Sequence, residues 1–254
     1  MTADEQPPIL ELSDAWKTFG HVVALRDVRF EARGGEVTAL VGDNGAGKST
    51  LVKVLSGVYR LDRGTLRIGG RELTRSGTKE FARMGVSTVF QDLALVETLD
   101  VGTNMFIDAP ITRARVFANR TAMYRRAART LQELKVSVPS VRVAVGELSG
   151  GQRQSVAIAR AVLRDSRIII MDEPTAALGV RETMRVGDIL DELRAQGRAV
   201  VLVSHDLEFV FRHADVLQVM RLGTMRGRLR VAETDRQTVV GLITGLTPEA
   251  DPAG

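Results

Sequence analysis

The chain has 254 residues, of which 44% are hydrophobic and 26% are charged. This length fits one large domain or two small ones, and the composition is that of a folded globular protein, which excludes disorder as the main state. The complete lack of cysteine excludes a disulfide framework, a zinc–thiolate site and a thiol nucleophile. The net charge of +4 is too modest to single out a partner by itself.

The start of the chain and its apolar runs give no sign of export or membrane insertion. The first residues, MTADEQPPIL, are acidic, unlike the basic and then apolar start of a signal peptide. The longest apolar runs, 168–171 and 199–203, are far shorter than the roughly 20 residues that a transmembrane helix needs. We therefore expect a soluble chain, which would rely on other subunits to cross any membrane at which it works.

A short apolar strand followed by a polar residue and a helical pattern recurs along the chain. Such strands are predicted at 36–42, 85–91, 167–174 and 199–206. The stretch 185–197 places Ile189, Leu190 and Leu193 at helical spacing. Nearly continuous Val/Ile/Leu strands that alternate with helices predict an α/β fold with a mainly parallel sheet covered on both faces.

Two other regions follow different patterns. Segments 10–19, 24–32 and 64–73 alternate apolar with polar residues between glycine-containing turns, which predicts an N-terminal antiparallel β subdomain. Residues from about 92 to 163 lack strand signals and are rich in Ala, Arg and Leu, so we expect a helical subdomain inserted between two strands of the parallel sheet. Together these regions predict one domain over residues 8–246, with flexible termini at 1–7 and 247–254.

Residues 42–49, GDNGAGKS, match the phosphate-loop (Walker A) pattern, and they follow a predicted strand and open a predicted helix. In such a loop the glycines let backbone N–H groups surround phosphates, and the helix N-terminus adds its positive dipole end. Lys48 would supply charge to the β- and γ-phosphates, and the Ser49 hydroxyl would bind Mg²⁺. The alternative is a glycine-rich turn that binds no nucleotide and contains a lysine by chance. The predicted nucleotide-binding residues of this loop are Gly42, Asp43, Asn44, Gly45, Ala46, Gly47, Lys48, Ser49 and Thr50.

Polar residues stand at the ends of three other predicted strands, where open α/β sheets bind ligands. Asp172 is the expected Mg²⁺ anchor, through a water, and Gln91 offers an amide oxygen to the metal or to the attacking water. Glu173 can orient or deprotonate that water. His205 can donate a hydrogen bond to the γ-phosphate and sense its loss. Each of these residues also has an alternative interpretation: the acidic pair could merely cap a helix, and His205 could be an ordinary loop residue. His21 and His213 do not follow a predicted strand of the parallel sheet, and we interpret them as structural.

Residues 148–152 read LSGGQ and precede a strongly helical stretch. Ser149 can cap that helix, while Gly150 and Gly151 allow close backbone approach and Gln152 completes the turn. This is a second helix N-terminus suited to an anion, about a hundred residues after the first.

The ordered set GDNGAGKST, FQD, LSGGQ, IIIMDEPT and SHD resembles the ATP-binding subunits of ABC transporters over nearly the whole chain. The sequence around these motifs resembles the carbohydrate-importer branch of the family (ribose, xylose and fructose type), here with a single ATP-binding cassette. The resemblance implies a P-loop NTPase core, ATP and Mg²⁺ as ligands, and Lys48, Glu173 and His205 as catalytic residues. It also implies that Phe19 stacks on adenine, although a buried strand residue is the alternative reading of Phe19.

The resemblance further implies partners. In this family, residues 149–152 bind the γ-phosphate held by a second copy, so that two ATP molecules lie in a head-to-tail dimer. Membrane permease subunits and, indirectly, an extracytoplasmic sugar-binding protein are implied too, with the chain at the cytoplasmic face of the plasma membrane. One position departs from the broad family, because Gly179 stands where a loop aspartate is usual. The carbohydrate branch resembles this variant, so we still expect hydrolysis.

Two other functions compete with sugar import. A soluble ABC-type ATPase acting on nucleic acid would suit the positive charge and the six arginines between Ala109 and Gln132, but the sequence has no sustained heptad pattern for a long coiled coil and too few residues for a second cassette. A small-molecule kinase would leave LSGGQ unexplained. We interpret the arginines as a solvated helix face or as a surface for a partner or anionic headgroups, with Arg113, Arg115 and Arg120 supporting membrane-side docking. No nucleic-acid partner is expected.

Overall fold

The structure is a computed structural model that describes residues 7–73, 77–113 and 117–247. Most of the two predicted flexible termini, residues 1–6 and 248–254, lies outside this range, and so do Arg115 and the side chain of Arg113. Among the described helices, none combines the length and the apolar character needed to cross a membrane.

The predicted antiparallel subdomain near the N-terminus is confirmed as a four-stranded sheet in the order β2-β1-β4-β5. Its strands are β1 (Leu10–Phe19), β2 (Val22–Ala32), β4 (Arg63–Ile68) and β5 (Arg71–Glu72). Leu10 and Leu12 of β1 are buried, while Glu11 and Ser13, which alternate with them, are not, as the sequence predicts. This sheet forms one wall beside the phosphate loop.

The predicted parallel sheet has six strands in the order β12-β11-β3-β10-β9-β6. Its strands are β3 (Val37–Gly42), β6 (Val86–Val89), β9 (Ile168–Asp172), β10 (Ala199–Val203), β11 (Val216–Arg221) and β12 (Thr224–Arg230). All neighbours are parallel except β11 and β12, which form an antiparallel pair at one edge. The mainly parallel α/β core is therefore confirmed, and β11 and β12 extend it beyond the predicted strands.

Helices cover both faces of this sheet. They are α1 (Lys48–Leu55), α2 (Thr78–Arg83), α3 (Val101–Met105), α4 (Arg120–Glu133), α5 (Gly150–Leu163), α6 (Val180–Ala195), α7 (Leu207–His213) and α8 (Arg236–Thr244), with short 3₁₀ turns at Val145–Glu147 and Val231–Glu233. On β10, Val200 and Leu202 face one core, and Ala199, Val201 and Val203 face the other. Successive strand residues thus fill two separate cores, which explains the nearly continuous apolar sequence of these strands.

The inserted region between β6 and β9 is largely helical, as predicted, through α3, α4 and α5. The expectation that it contains no strand is wrong, because β7 (Thr112–Arg113) and β8 (Phe117–Ala118) form a short antiparallel hairpin. An Asn119 N–H bond of 2.7 Å to the Ile111 carbonyl closes its base. Threonine and phenylalanine favour strands, but a run of two residues is too short to give a periodic signal.

The arginine-rich segment makes contacts within the chain. Arg120 lies 3.2 Å from an Asp100 carboxylate oxygen and 2.5 Å from the Tyr124 hydroxyl, which itself donates to Asp100 over 2.8 Å. Arg129 pairs with Glu133 one turn further along α4. Part of the positive charge of this segment is therefore balanced within the helical subdomain, which reduces the charge left for a partner.

Candidate nucleotide-binding site

The site lies at the edge of the parallel sheet where several strands end together. Val203, the last residue of β10, pairs with Asp172 of β9 on one side and with Leu40 of β3 on the other. Because these strands run in the same direction, the residues that follow each of them meet at one edge. The phosphate loop after β3, the acidic pair at the end of β9 and His205 after β10 are brought together in this way, as predicted.

The phosphate loop joins β3 to α1 through glycines in the left-handed region. Gly45 has φ of 79° and Gly47 has φ of 107°. At Gly47 a side chain is excluded by space as well, since a Cβ atom there would lie 2.7 Å from the Ala24 carbonyl oxygen. No side chain caps the start of α1 after Gly47. The first N–H groups of this helix therefore remain available to an anion.

Lys48 turns its ammonium group back over this loop. Its Nζ donates hydrogen bonds of 2.8 Å to the Gly42 carbonyl and 2.9 Å to the Asp43 carbonyl. The positive charge is thus held at the entrance of the loop, close to the place where a phosphate would bind the backbone N–H groups. Ser49, the next residue, is exposed at the second position of α1.

Asp172 is the last residue of β9 and is half-buried. Burial raises the pKa of its carboxyl group, and the neighbouring charge of Glu173 raises it further, while Lys48 and Lys53 act in the opposite direction. A divalent cation would relieve the cost of keeping this carboxylate charged. Ser49, Gln91 and Asp172 together offer a hydroxyl, an amide and a carboxylate oxygen, an all-oxygen set that suits the hard ion Mg²⁺.

Glu173 carries the clearest local signature of function. Its backbone has φ of 51°, which is uncommon for a residue with a side chain, and its N–H donates to the Val203 carbonyl over 2.9 Å. Its carboxylate, largely buried, lies 2.8 Å from Nδ1 of the exposed His205. Strained backbone conformations of this kind persist where the surrounding structure enforces them, often at active sites. The structure thus joins two residues that the sequence indicated only one at a time.

Gln91 lies two residues beyond the end of β6 and is exposed. Among the described residues, no hydrogen bond fixes its amide group. Its place at the same edge of the sheet agrees with the prediction, and its role toward metal or water stays a prediction.

The turn Ser149–Gln152 is built as the sequence predicts but lies apart from the phosphate loop. The Ser149 hydroxyl accepts from the Gln152 N–H over 3.2 Å, and the Gln152 side chain accepts from the Ser149 N–H over 3.0 Å, which is a complete capping box for α5. In the described parts of the chain, no hydrogen bond or ion pair joins this turn to residues 42–50. One chain therefore has two helix N-termini of the kind predicted to bind anions, with no hydrogen bond or ion pair between them in the described residues.

Phe19 ends β1 with 42% of its surface exposed, so the alternative of a buried strand residue is wrong. Its ring lies edge-on to Tyr59, with centroids 5.2 Å apart, and Lys17 Nζ lies 5.3 Å from the ring centre. Asp62 holds Lys17 by a 2.8 Å ion pair. An exposed ring with fixed orientation can stack on a flat base. Sequence reasoning missed Tyr59, Lys17 and Asp62, because residues 40 positions apart give no periodic signal of contact.

Comparison with known proteins agrees with this geometry. Residues 25–176 match the family model described as ABC transporter. The chain is 37% identical to the xylose/arabinose import ATP-binding protein of Sulfolobus acidocaldarius, covering 93% of this chain and 94% of that protein. It is 38% identical to the fructose import ATP-binding protein of Rhizobium meliloti, covering 97% and 96%. A ribose import ATP-binding protein of Chromobacterium violaceum is 41% identical, but the match covers 90% of this chain and 45% of that protein.

Solved structures give the same answer for the fold. A structure of the ADP conformation of an ATP-binding cassette of an ABC transporter aligns with a TM-score of 0.81 at 26% identity, covering 94% of this chain and 96% of that one. A nucleotide-free ATP-binding cassette aligns with a TM-score of 0.80 at 27% identity, with the same coverage. The α/β P-loop NTPase fold expected from the motifs is confirmed. The chain belongs to the ABC transporter family of ATP-binding proteins.

Proposed function

We propose that this chain binds and hydrolyses ATP to drive the import of a sugar through membrane permease subunits. The observation that carries the hydrolysis is the Glu173–His205 pair, held at 2.8 Å beside the phosphate loop. The sugar is supported by the import proteins for xylose/arabinose, fructose and ribose to which the chain is similar over nearly all its length.

Each residue of the site has its own role in the proposed hydrolysis. The N–H groups at the start of α1 and the Lys48 ammonium bind the phosphates, and Phe19 stacks on the base. Glu173 accepts the proton of the attacking water, and His205 holds the Glu173 carboxylate in place and donates to the γ-phosphate. Mg²⁺, when bound by Ser49, Asp172 and Gln91, supplies positive charge to the phosphates.

A second copy of the chain completes each ATP site in this proposal. The capping box of the Ser149–Gln152 turn uses the N–H groups of Ser149 and Gln152 and leaves those of Gly150 and Gly151 for an anion, and within the described residues the turn makes no hydrogen bond to the phosphate loop of its own chain. Two copies arranged head to tail would let each turn bind the γ-phosphate held by the other copy. The permease would hold this dimer at the cytoplasmic face of the membrane, and an extracytoplasmic binding protein would deliver the sugar.

The experiment is to measure ATP turnover and ATP binding of Glu173→Gln together. Because the base is lost while Lys48 and the metal ligands remain, we expect binding within a few-fold of the parent and turnover lower by about 10²-fold or more. Turnover close to that of the parent would remove Glu173 from its role. Sugar-stimulated turnover after co-purification with a permease then tests import, and stimulation by nucleic acid in place of sugar would contradict it.

A further inference from the structure

Glu182, in the first turn of α6, packs against the Ser149–Gln152 turn. Gly151 is buried, and a Cβ atom placed on it would overlap the Glu182 Cγ and lie 2.7 Å from the Glu182 Cβ. The neighbouring Gly150 has nothing within 4 Å of the same position. Of the two glycines in LSGGQ, it is therefore Gly151 that must lack a side chain, because the stem of Glu182 occupies that space.

The other end of the Glu182 side chain reaches the loop that carries Glu173. A Cβ atom placed on Gly179 would lie 2.8 Å from the Glu182 Oε2. Gly179 is the N-cap of α6 and offers no side-chain cap, so Glu182 bends back over a helix start that is otherwise open. The carboxylate oxygen thus fills the space in which a side chain at 179 would begin, the position where this chain departs from the broad family.

The Glu182 side chain makes no hydrogen bond and no ion pair within the described ranges, although the residue is half-buried. Its contribution is therefore packing across two glycines that belong to different functional segments. Residues 173–179 form the short connection from the Glu173 backbone to α6, and residues 149–152 start α5. A side chain wedged between the two ties the movement of one to the other.

We propose that Glu182 is a positioning residue that fixes the Ser149–Gln152 turn against the Glu173 loop, and thereby sets how readily a second copy closes on ATP. This inference rests on the proposed dimer. The position of Gly151 relative to the partner's phosphate decides whether the backbone N–H groups of the turn reach it, and displacement by even 1 Å costs much of such an interaction.

The contact itself can be tested on the free chain without ATP. Gly151→Ala forces a side chain into the space of the Glu182 stem, so we expect its melting temperature to fall by several degrees. Gly150→Ala, the matched control one residue away, should melt within about 2 °C of the parent because its Cβ meets open space. Equal melting of the two variants would overturn the packing on which the inference depends.

The positioning role is tested by ATP-dependent dimerisation in the Glu173→Gln background, followed by sedimentation. We expect Glu182→Ala to raise the ATP concentration for half-dimerisation about tenfold, and Glu182→Asp, with a stem shorter by one methylene, to raise it by a smaller factor. Glu182→Gln keeps the shape and should stay within twofold, as should the control Asp188→Ala on the exposed side of α6.

The outcomes separate this inference from the proposed function. If Glu173→Gln itself fails to dimerise with ATP, the proposed dimer is wrong. If it dimerises and Glu182→Ala does so at the same ATP concentration, Glu182 has no positioning role. If Glu182→Gln is as impaired as Glu182→Ala, the charge and not the packing matters, and the inference is overturned as well.

Discussion

His205 holds a largely buried carboxylate while most of its own ring faces solvent. The 2.8 Å bond from Nδ1 to Glu173 leaves Nε2 free to meet a phosphate oxygen. A neutral ring donates either from Nδ1 to Glu173 or from Nε2 to the phosphate, whereas a doubly protonated ring donates to both. The doubly protonated ring is therefore the form that links the base to the group that is cleaved.

Replacing this histidine should slow hydrolysis without weakening ATP binding strongly. For His205→Ala we expect a loss in kcat on the order of 10²-fold, because both the orientation of Glu173 and one hydrogen bond to the transferred phosphate are removed. His21→Ala, at an exposed histidine in the turn between β1 and β2, is the control and should match the parent. Steady-state ATPase assays of the two variants check this, and an active His205→Ala would show that Glu173 needs no partner.

Asp62 gives a pH-dependent prediction at the residue scale. Hydrogen bonds from Lys17 and then from Thr18 lower the pKa of Asp62 to about 2 in the folded chain. Because the folded pKa lies below the unfolded value of about 3.9, the stabilisation is present above pH 4 and is lost as the pH falls towards 2. The pair is exposed, so Asp62→Asn should cost less than about 1 kcal/mol at pH 7.

Urea unfolding of Asp62→Asn and the parent at several pH values measures this difference. We expect the two unfolding free energies to converge between pH 4 and pH 2. A gap that persists unchanged to pH 3 would mean that the carboxylate is not the stabilising group.

At this scale the sequence predicts which residues form the site but not how they pair. Lys48, Asp172, Glu173 and His205 could be assigned because strand ends of a parallel sheet converge. The backbone at Glu173, whose side chain makes the bond to His205, has a positive φ, and a glutamate gives no sign of that conformation in the sequence. The packing of the Glu182 side-chain stem against Gly151 could not be predicted from the sequence either, because it depends on how α5 and α6 cross.

Among the elements, α3 owes its position to one buried side chain. Asn104 is fully buried; its amide nitrogen donates to the carbonyls of Val96, Leu99 and Asp100, and its amide oxygen accepts from the Val96 N–H over 2.8 Å. These bonds tie the segment that follows Gln91 to α3.

Removing that amide should destabilise the chain markedly. Asn104→Ala leaves several buried backbone groups without partners, so we expect a loss of about 3 kcal/mol in unfolding free energy. Asn119→Ala is the control, since Asn119 only caps α4 through a 3.1 Å bond and should cost about 1 kcal/mol. Denaturant unfolding of both variants gives the comparison, and an equal cost for the two would contradict the role of Asn104.

Long apolar strands and the helices after them are the elements that the sequence predicts well. β3, β9 and β10 are buried on both faces, apart from Asp172 at the end of β9, and consist almost entirely of apolar residues. The hairpin β7–β8 could not be predicted in this way, because a two-residue strand has no periodic pattern. The hydrogen bonds of Asn104 could not be predicted either, because a buried asparagine looks like any loop asparagine in the sequence.

At the scale of the whole molecule, the two helix N-termini predicted to bind anions are the central feature. The start of α1 lies at the phosphate loop, and the start of α5 carries the Ser149–Gln152 turn without a bond to that loop. The sequence predicts both ends, and a single chain explains only one of them. We therefore expect each ATP site to be built from two copies.

The most direct measurement mixes two variants, each with half of the site disabled, in the Glu173→Gln background. Lys48→Ala cannot hold ATP, and Ser149→Arg fills the turn with a side chain that blocks the partner's phosphate. Each variant alone should sediment as a monomer with Mg²⁺-ATP, whereas an equal mixture should form ATP-dependent dimers through the one site whose two halves are intact. A mixture that stays monomeric while the Glu173→Gln protein dimerises, or a Ser149→Arg variant that dimerises on its own, would contradict an ATP site shared between two chains.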